Sequence, residues 1–331
     1  MTGIALMGSG LVCAGWCTSS VPGLFVTVGV LAGAGMNMAY TMTNTLPVQY
    51  FSGHLGLANG LVKLGGGIGA TVMAIALEAL VRRVGVAWTF RVQGLLTIGV
   101  GLPAAWFMVD RVPIRGMAIP FVDLEMFKSV PFTACFIAGA IGTFALFVPP
   151  YYLPLFAESI ELSSSTGAAL VSAFNACNAF GRFVGGPLCD RIGPANTFVI
   201  MMALNAISML AIWPVSQSLP PLVVFAIING IANGAFFTVF PTVVAGIFGP
   251  GRAAVAMSMA VSGWTAGYLL GPPITGYLLQ AVAGERKFVA KEMGVEVYRP
   301  AIFYAGGLAL VASIFAGWAR VKMTRTVRKK V

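Results

Sequence analysis

The chain has 331 residues, of which 58% are hydrophobic and 9% are charged, and its formal net charge is +10. Soluble domains carry about 25% charged residues, so this composition excludes a soluble protein and indicates one that lies in lipid. Backbone groups inside a bilayer need partners within the protein, and the long apolar runs of the chain provide them as helices. The short alternating strands of a membrane barrel are not found in the sequence. We therefore predict an all-α membrane protein that folds as a helical bundle.

Ten segments are apolar over the length of a membrane helix, which needs about 20 residues. They cover residues 3–19, 23–48, 56–80, 91–108, 131–154, 166–186, 197–214, 220–248, 253–281 and 300–319. Prolines stand at the start of several segments, where the missing amide donor costs nothing. The sequence thus predicts about ten transmembrane helices.

The C-terminal tail, residues 320–331, contains six lysine and arginine residues and no acidic residue. The positive-inside rule assigns such a tail to the cytoplasm, and an even number of spans then places the N terminus on the same side. We predict a multi-pass protein of the plasma membrane with a cytoplasmic C terminus.

The longest polar connection, residues 109–130, separates four spans from six and is predicted to be a cytoplasmic linker. It divides the chain into an incomplete N-terminal half, residues 1–108, and a six-helix C-terminal half, residues 131–319. An offset of 197 residues pairs identical residues of the two halves at four places, namely Gly33 with Gly230, Thr41 with Thr238, Phe51 with Phe248 and Gly66 with Gly263. Two repeats of that length exceed the chain by 63 residues. That deficit corresponds to about two helices with their loops.

A charged turn with several glycines joins the sixth and seventh spans, in the stretch GRFVGGPLCDRIGP that begins at Gly181. It resembles the G-x-x-x-D-R-x-G loop of the major facilitator superfamily. The resemblance implies that Asp190 and Arg191 lie at cytoplasmic helix ends and lock neighbouring helices in one state of a transport cycle. It also implies that Gly181, Gly185 and Gly193 allow close packing.

Four further stretches resemble the monocarboxylate-porter family, most closely its fungal branch. They are QYFSGHLGLANGLVKLGGGIG (49–69), RVGVAWTFRVQG (83–94), LFVPPYYLPLFAESIELSSSTGA (146–168) and SGWTAGYLLGPPITGYLL (262–279). Members of that family have twelve helices, and the matched stretches make the first span here the family's third. The resemblance therefore implies that the first two helices of the family pattern are missing from this chain.

Arg182 is the strongest candidate for substrate binding. The resemblance aligns it with an arginine of the family's eighth helix, and aligns Asn178 with an aspartate that takes part in proton coupling in the animal members. A cation inside a membrane helix costs about 2.5–3.5 kcal/mol and usually faces an interior cavity, where a guanidinium can hold a carboxylate. The alternative is that Arg182 snorkels and pairs with Asp190 as a structural latch. Because Asn178 cannot ionise, we expect no proton coupling at this position.

Polar residues recur at helical spacing in three spans, so each set shares one helical face. The sets are Asn37, Tyr40 and Asn44, then Asn175, Asn178 and Arg182, and then Asn229 and Asn233. Such faces either line a substrate cavity or hold helices together through hydrogen bonds. We predict Arg182, Asn178, Asn175, Asn37 and Tyr40 as the substrate-binding candidates.

Two ionisable residues of the third span, Lys63 and Glu78, are predicted to have structural roles. They are fifteen residues apart, which is about 22 Å along a helix and too far for a direct pair. We expect Glu78 to meet Arg82 one helical turn on, and Lys63 to snorkel to the cytoplasmic side.

Pairs of glycines four residues apart predict close helix packing. These pairs are Gly65 and Gly69, Gly181 and Gly185, and Gly267 and Gly271.

Catalysis and nucleic-acid binding have little support in the sequence. The five cysteines fall in apolar spans or at their ends and have no metal-ligand spacing with the single His54. No phosphate loop and no nucleophile with a base is found, and the net positive charge belongs largely to the tail. We predict a protein that is not an enzyme, that uses no metal or other cofactor, and that has no nucleic-acid partner.

The resemblance implies a transporter that moves a small organic anion or a related metabolite by alternating access, for example in the efflux of a secondary metabolite. Its partners are then a small-molecule substrate and the lipid bilayer. The alternative is an N-terminally truncated membrane protein or sensor that keeps the bundle and has lost the transport cycle.

Overall fold

The computed structural model describes residues 1–51, 53–109, 111, 123–249, 251–283 and 295–323. The described residues form helices and connecting turns. The helices are α1 (Thr2–Ala14), α2 (Val21–Tyr50), α3 (Leu55–Trp106), α4 (Val130–Ser159), α5 (Ser164–Ile192), α6 (Pro194–Val215), α7 (Leu219–Phe248), α8 (Ala253–Ala283) and α9 (Val295–Met323). A short 3-10 helix, Leu124–Lys128, precedes α4.

Helix α3 contains two of the predicted spans. Gly85 interrupts it with φ 78° and ψ 169°, a conformation that glycine adopts without strain because it has no Cβ. The described part of the chain therefore has ten helical segments, and the prediction of an all-α bundle with about ten helices is confirmed. In the described residues, seven helical stretches are long and apolar enough to cross a membrane. Helix α5 is not one of them, since it carries the polar residues of the candidate site.

The chain divides into two compact units. Unit 1 comprises residues 1–52 and 65–117, and unit 2 comprises residues 53–64 and 118–331. The first turns of α3 thus belong to the same unit as the C-terminal helices. Most of the predicted linker and of the basic tail, namely residues 110, 112–122 and 324–331, lies outside the described residues.

Within unit 1, α1 packs on α2 and on the second half of α3. The backbone of Gly94 lies so close to α1 that a Cβ there would be 2.6 Å from the carbonyl oxygen of Gly8. Arg91 fixes the end of α1, because its Nη2 donates to the carbonyl of Gly15 over 3.1 Å. The same guanidinium lies 4.5 Å from the ring centroid of Trp16 and 4.9 Å from that of Trp88. These contacts are typical cation–π geometry.

Within unit 2, α5 lies against α7, which also contacts α6, while α9 lies against α4 and α6. One end of these helices, opposite the turn between α5 and α6, is filled by buried aromatic rings. Trp213 stacks on Phe225 with centroids 4.7 Å apart, and Phe156 meets the rings of Trp213 and Tyr298 at 5.9 and 5.5 Å. The candidate site lies further along α5 and α7, beyond this apolar end.

Glycines bring the axes of α5 and α7 together. A Cβ at Gly230 would be 2.7 Å from the carbonyl oxygen of Phe174, and one at Gly234 would be 2.6 Å from the carbonyl carbon of Asn178. Gly181 of α5 makes the corresponding approach to the backbone of Ile231. Small residues allow such close backbone contact between helices in a membrane.

The glycine pairs predicted from spacing behave differently. Gly267 and Gly271 of α8 pack against the backbone of Phe144 in α4, as expected. At Gly65 and Gly69 the prediction is wrong, because an added Cβ would meet no described atom within 4 Å at either position. Spacing identifies a smooth helix face, but the partner helix decides whether that face is used.

Candidate functional site

The charged turn joins α5 directly to α6. Helix α5 ends at Ile192, and Gly193 follows with φ 94° and ψ 146°, in the region of positive φ that favours glycine. Pro194 then begins α6, at a helix position that needs no amide donor. Gly193 is therefore the whole connection between the two helices, and Asp190 and Arg191 of the predicted motif lie in the last turn of α5, where Arg191 is exposed.

The Asp190 carboxylate binds the N terminus of α3. Its two oxygens accept hydrogen bonds from the backbone amides of Gly56 and Leu57, each over 2.8 Å. The first amides of a helix have no partner within the helix, and the helix dipole favours a negative charge there. Asp190 thus fixes the start of α3 to the end of α5, although its partners were not predicted from the sequence.

Close packing extends this contact along the two helices. A Cβ at Gly186 would overlap the carbonyl oxygen of Gly56, and one at Gly60 would be 3.0 Å from the carbonyl oxygen of Phe183. The spacing of Gly56 and Gly60 is the same small-residue signal used for other helices. This spacing in the sequence is enough to predict close packing on this face of α3.

A chain of hydrogen bonds crosses the middle of unit 2. The Nε of Arg182 donates to Oδ1 of Asn178 over 3.0 Å. The Nδ2 of Asn178 donates to Oδ1 of Asn233 over 3.2 Å, and the Nδ2 of Asn233 donates to the carbonyl of Leu146 over 2.5 Å. That carbonyl needs a donor from outside its helix, since Pro150, four residues on, has no amide hydrogen. This series of hydrogen bonds fixes the orientation of both asparagine side chains and of the guanidinium.

The Arg182 side chain is half-buried near the midpoint of α5. Asn178 has fourteen residues of this 29-residue helix on either side. Arg182 is eight residues from Asp190, which corresponds to about 12 Å along the axis. The hydrogen bond to Asn178 directs the guanidinium away from Asp190. The carboxylate oxygens of Asp190 accept hydrogen bonds from the backbone amides of α3 instead. The guanidinium carbon also lies 5.0 Å from the ring centroid of Phe237.

Lys63 is buried on the face of α3 that packs against α5 and α7. Only 7% of the residue is exposed, so the expectation that it snorkels to the surface is wrong. The glycine contacts of Gly60 hold α3 against α5, while Asn59 donates to the hydroxyl of Thr242 over 2.9 Å. Lys63 lies one turn beyond Asn59 on this face of α3.

The other predicted candidates are Asn175 in unit 2 and two residues of unit 1. Asn175 is exposed on α5, one turn before Asn178. Asn37 is exposed and Tyr40 half-buried on α2, in unit 1. The structure thus brings Arg182 and Asn178 together and adds Asn233 to them.

Two smaller predictions concern contacts along and between helices. Glu78 and Arg82 form the expected ion pair at 2.7 Å, on an exposed surface. Asn229 donates to the hydroxyl of Ser208 over 2.8 Å, so it joins α7 to α6. Among the described residues, no group of histidine, cysteine and acidic side chains is arranged to hold a metal ion.

The sequence model of a protein family, the Major Facilitator Superfamily, matches the chain at residues 1–176 and at residues 153–330. The chain belongs to the major facilitator superfamily. This superfamily is one of transporters and not of enzymes, and the chain is accordingly a multi-pass membrane protein.

Two superfamily relatives come from fungi. The aspyridones efflux protein apdF of Emericella nidulans is 28% identical over 286 residues, which cover 86% of this chain and 57% of apdF. MFS-type transporter 1 of an Ophiocordyceps species is 27% identical over 301 residues, 91% of this chain and 64% of the relative. The chain therefore spans about 60% of the length of these curated relatives.

A solved structure supports the superfamily fold. The transporter FucP in its outward conformation superimposes with a TM-score of 0.73, covering 96% of this chain and 81% of FucP. The sequences are 14% identical, so the likeness concerns the fold alone.

Proposed function

We propose that this chain transports a small organic anion, or a related metabolite, by alternating access. The observation that carries the proposal is the position of Arg182, half-buried at the middle of α5 and held by Asn178. A membrane helix carries a cation at this depth at a considerable free-energy cost, and such cations usually mark a substrate pathway. A guanidinium fixed in one plane is suited to hold a carboxylate through two parallel hydrogen bonds.

The direction of transport is proposed from the relatives. The apdF protein is named for aspyridones efflux, and it is similar to this chain over most of the chain's length. We propose efflux of a secondary metabolite as the physiological role, in a protein similar to fungal members of the monocarboxylate-porter family. The chain spans 57% of the length of apdF, so transport activity of this chain is itself part of the proposal.

The gating residues and the halves belong to the same proposal. Residues 1–108 and 131–319 act as the two halves of the cycle, joined by residues 109–130. Asp190 stabilises one state through the start of α3, while Gly181 and Gly185 keep α5 close to α7. Asn175, Asn37 and Tyr40 are further candidates for substrate contact.

Transport of anions by the purified chain tests the proposal. We expect liposomes containing the full chain to take up labelled benzoate, pyruvate or succinate faster than protein-free liposomes do. Labelled benzamide, which has the same ring as benzoate and no charge, is expected to enter both kinds of liposome at the same rate. Initial rates at pH 8 are the measurement. If none of the three acids moves faster than in protein-free liposomes, the organic-anion proposal is wrong, and a bundle that does not transport is favoured.

We propose a plasma-membrane location with a cytoplasmic C terminus, because the last twelve residues carry six basic side chains. An epitope tag after Val331 is expected to bind antibody only in permeabilised cells. Labelling of the tag in intact cells would contradict this orientation. Staining for a plasma-membrane marker in the same cells checks the location.

A further inference from the structure

A cavity lies where four membrane helices of unit 2 begin or end. Helix α4 begins at Val130 and α6 at Pro194, whereas α7 ends at Phe248 and α9 at Met323. Each of the four is long and apolar enough to cross a membrane, so their ends lie at the level of the lipid headgroups. The cavity between these ends has a volume of about 390 Å³. This size is within the range of sites that hold small organic ligands.

Two basic side chains of α9 make the surroundings of this cavity positive. Lys322, in the last turn of α9, lines the cavity. Arg320 is buried two residues before it, and its Nε donates to Oδ1 of Asn196 over 2.6 Å. Helix α9 thus holds a second positive charge against the start of α6. Among the described residues, none of those that line the cavity is acidic.

The starts of two helices form another part of the cavity wall. Ser129 and Pro131 line it from the start of α4, and Pro194 and Ala195 from the start of α6. Within the described residues, neither start has a side-chain cap, although Ser129 stands at the capping position of α4. The first amides of a helix have no partner within the helix, and the helix dipole is positive there. The cavity therefore offers a cation, a hydroxyl and backbone amides from three helices.

The acidic side chains that are close in the chain to these elements have other partners. In the part of the chain that the structure describes, Lys322 forms no ion pair. The acidic side chains and their partners are Asp123 with Arg252, Glu125 with Lys128, and Asp190 with the first amides of α3. The charges around the cavity therefore complement an anion that comes from outside the chain.

We propose that this cavity binds the headgroup of a phospholipid with a phosphate monoester, such as phosphatidic acid. A phosphate monoester has three oxygens that accept hydrogen bonds and nearly two negative charges at neutral pH, which suits donors that come from three helices. Val243, Ile247 and Met323 form an apolar part of the wall, against which the glycerol and the first acyl carbons pack.

The position of the cavity favours a lipid as the source of the phosphate. Basic pockets between membrane helices on the cytoplasmic side bind anionic headgroups, and the cytoplasmic leaflet carries most anionic lipids. The cavity is on the side proposed to be cytoplasmic, because α9 leads directly into the basic tail. Its lining residues are not those proposed for substrate binding. The lipid site is therefore additional to the proposed transport function.

Binding of three matched ligands to the purified full chain in detergent tests this proposal. Dioctanoyl phosphatidic acid has the monoester and two acyl chains. Dioctanoyl phosphatidylcholine has the same chains and no net charge, and glycerol phosphate has the monoester without chains. We expect phosphatidic acid to bind at least about tenfold more tightly than either, because a hydrogen bond to a charged group contributes enough for such a factor and the chains add apolar contact. Dissociation constants from native mass spectrometry are the measurement.

Two lysine variants show whether the cation at the cavity causes this binding. Lys322→Met is expected to weaken the binding of phosphatidic acid by about tenfold or more, since it removes the charge that lines the cavity. Lys329→Met is the matched control, because it makes the same substitution in the basic tail. We expect it to change the dissociation constant by about twofold or less.

Gly246→Leu fills the cavity without a change in charge. Gly246 lines the cavity, and an added Cβ would meet no described atom within 4 Å. The leucine side chain occupies space that the headgroup needs, so we expect binding of phosphatidic acid to weaken by about tenfold or more. Without lipid the variant should melt at the same or a higher temperature, because leucine is favoured over glycine in a helix. If Gly246→Leu does not fold, Gly246→Val replaces it.

Three results would overturn the cavity site. They are equal binding of phosphatidic acid and phosphatidylcholine by the parent chain, equal losses in Lys322→Met and Lys329→Met, and unchanged binding in the folded Gly246 variant. If glycerol phosphate binds as tightly as phosphatidic acid, the ligand is a soluble phosphate and the lipid proposal is wrong. Uptake of organic anions into liposomes is measured separately, so failure of the lipid site leaves the proposed function standing.

Discussion

Replacing Arg182 with lysine is expected to lower the uptake of an organic anion by about 10- to 100-fold, because the lost hydrogen bond to a charged group contributes about 1.5–3 kcal/mol. The ammonium keeps the positive charge, but it lacks the planar pair of donors and the Nε that bonds to Asn178. Uptake into liposomes is the measurement, together with size-exclusion chromatography to show that the variant is folded. Unchanged uptake would exclude Arg182 from the binding site.

Asp190→Asn on the same helix provides the contrasting variant. It removes the charge at the N terminus of α3 and retains an oxygen that can accept from Gly56 or Leu57. We expect it to change the maximal rate of uptake while the affinity for the anion stays close to that of the parent. A loss of affinity equal to that of Arg182→Lys would mean that both residues act only through the fold.

Replacing Gly234 with alanine is expected to destabilise the protein by about 1–3 kcal/mol, the usual cost of overpacking a closely packed interior. The added Cβ would lie 2.6 Å from the carbonyl carbon of Asn178, and a backbone atom cannot move aside without separating α5 from α7. The same shift would disturb the bond between Asn178 and Asn233. A lower melting temperature of the purified protein, with reduced uptake, is the expected result.

Gly246→Ala on the same helix is the matched control. An added Cβ at Gly246 would meet no described atom within 4 Å. Alanine is favoured over glycine in a helix by about 0.5–1 kcal/mol, so we expect an equal or slightly higher melting temperature. If the two variants melt at the same temperature, close packing of α5 on α7 is not what holds this region together.

The length of the helices shows what hydropathy can and cannot predict. The sixth span was predicted as residues 166–186, whereas α5 continues to Ile192. Apolar composition ends where the surroundings become polar, but the backbone hydrogen bonds of a helix continue until a residue such as Gly193 ends them. The number of helices was therefore predicted correctly, and their ends were less accurate.

The candidate site was predicted in part. Asn178 and Arg182 are four residues apart, so the helical period alone places them on one face, and the structure joins them by a hydrogen bond. The sequence also indicated that Asn233 is a polar residue on a helix face. Its two partners, Asn178 and the carbonyl of Leu146, come from other helices and were visible only in the structure.

The sequence by itself determined the class of the protein, the number of its helices and the turn at Gly193, because apolar length, helical period and glycine conformation are local properties of the chain. Only the tertiary structure shows that Lys63 is buried, whereas the sequence predicted that its side chain reaches the cytoplasmic side of the membrane. The close contacts of Gly56 and Gly60 hold α3 against α5, and Lys63 is buried on the same face of α3. Burial depends on which helices meet, and residues far apart in the chain determine that.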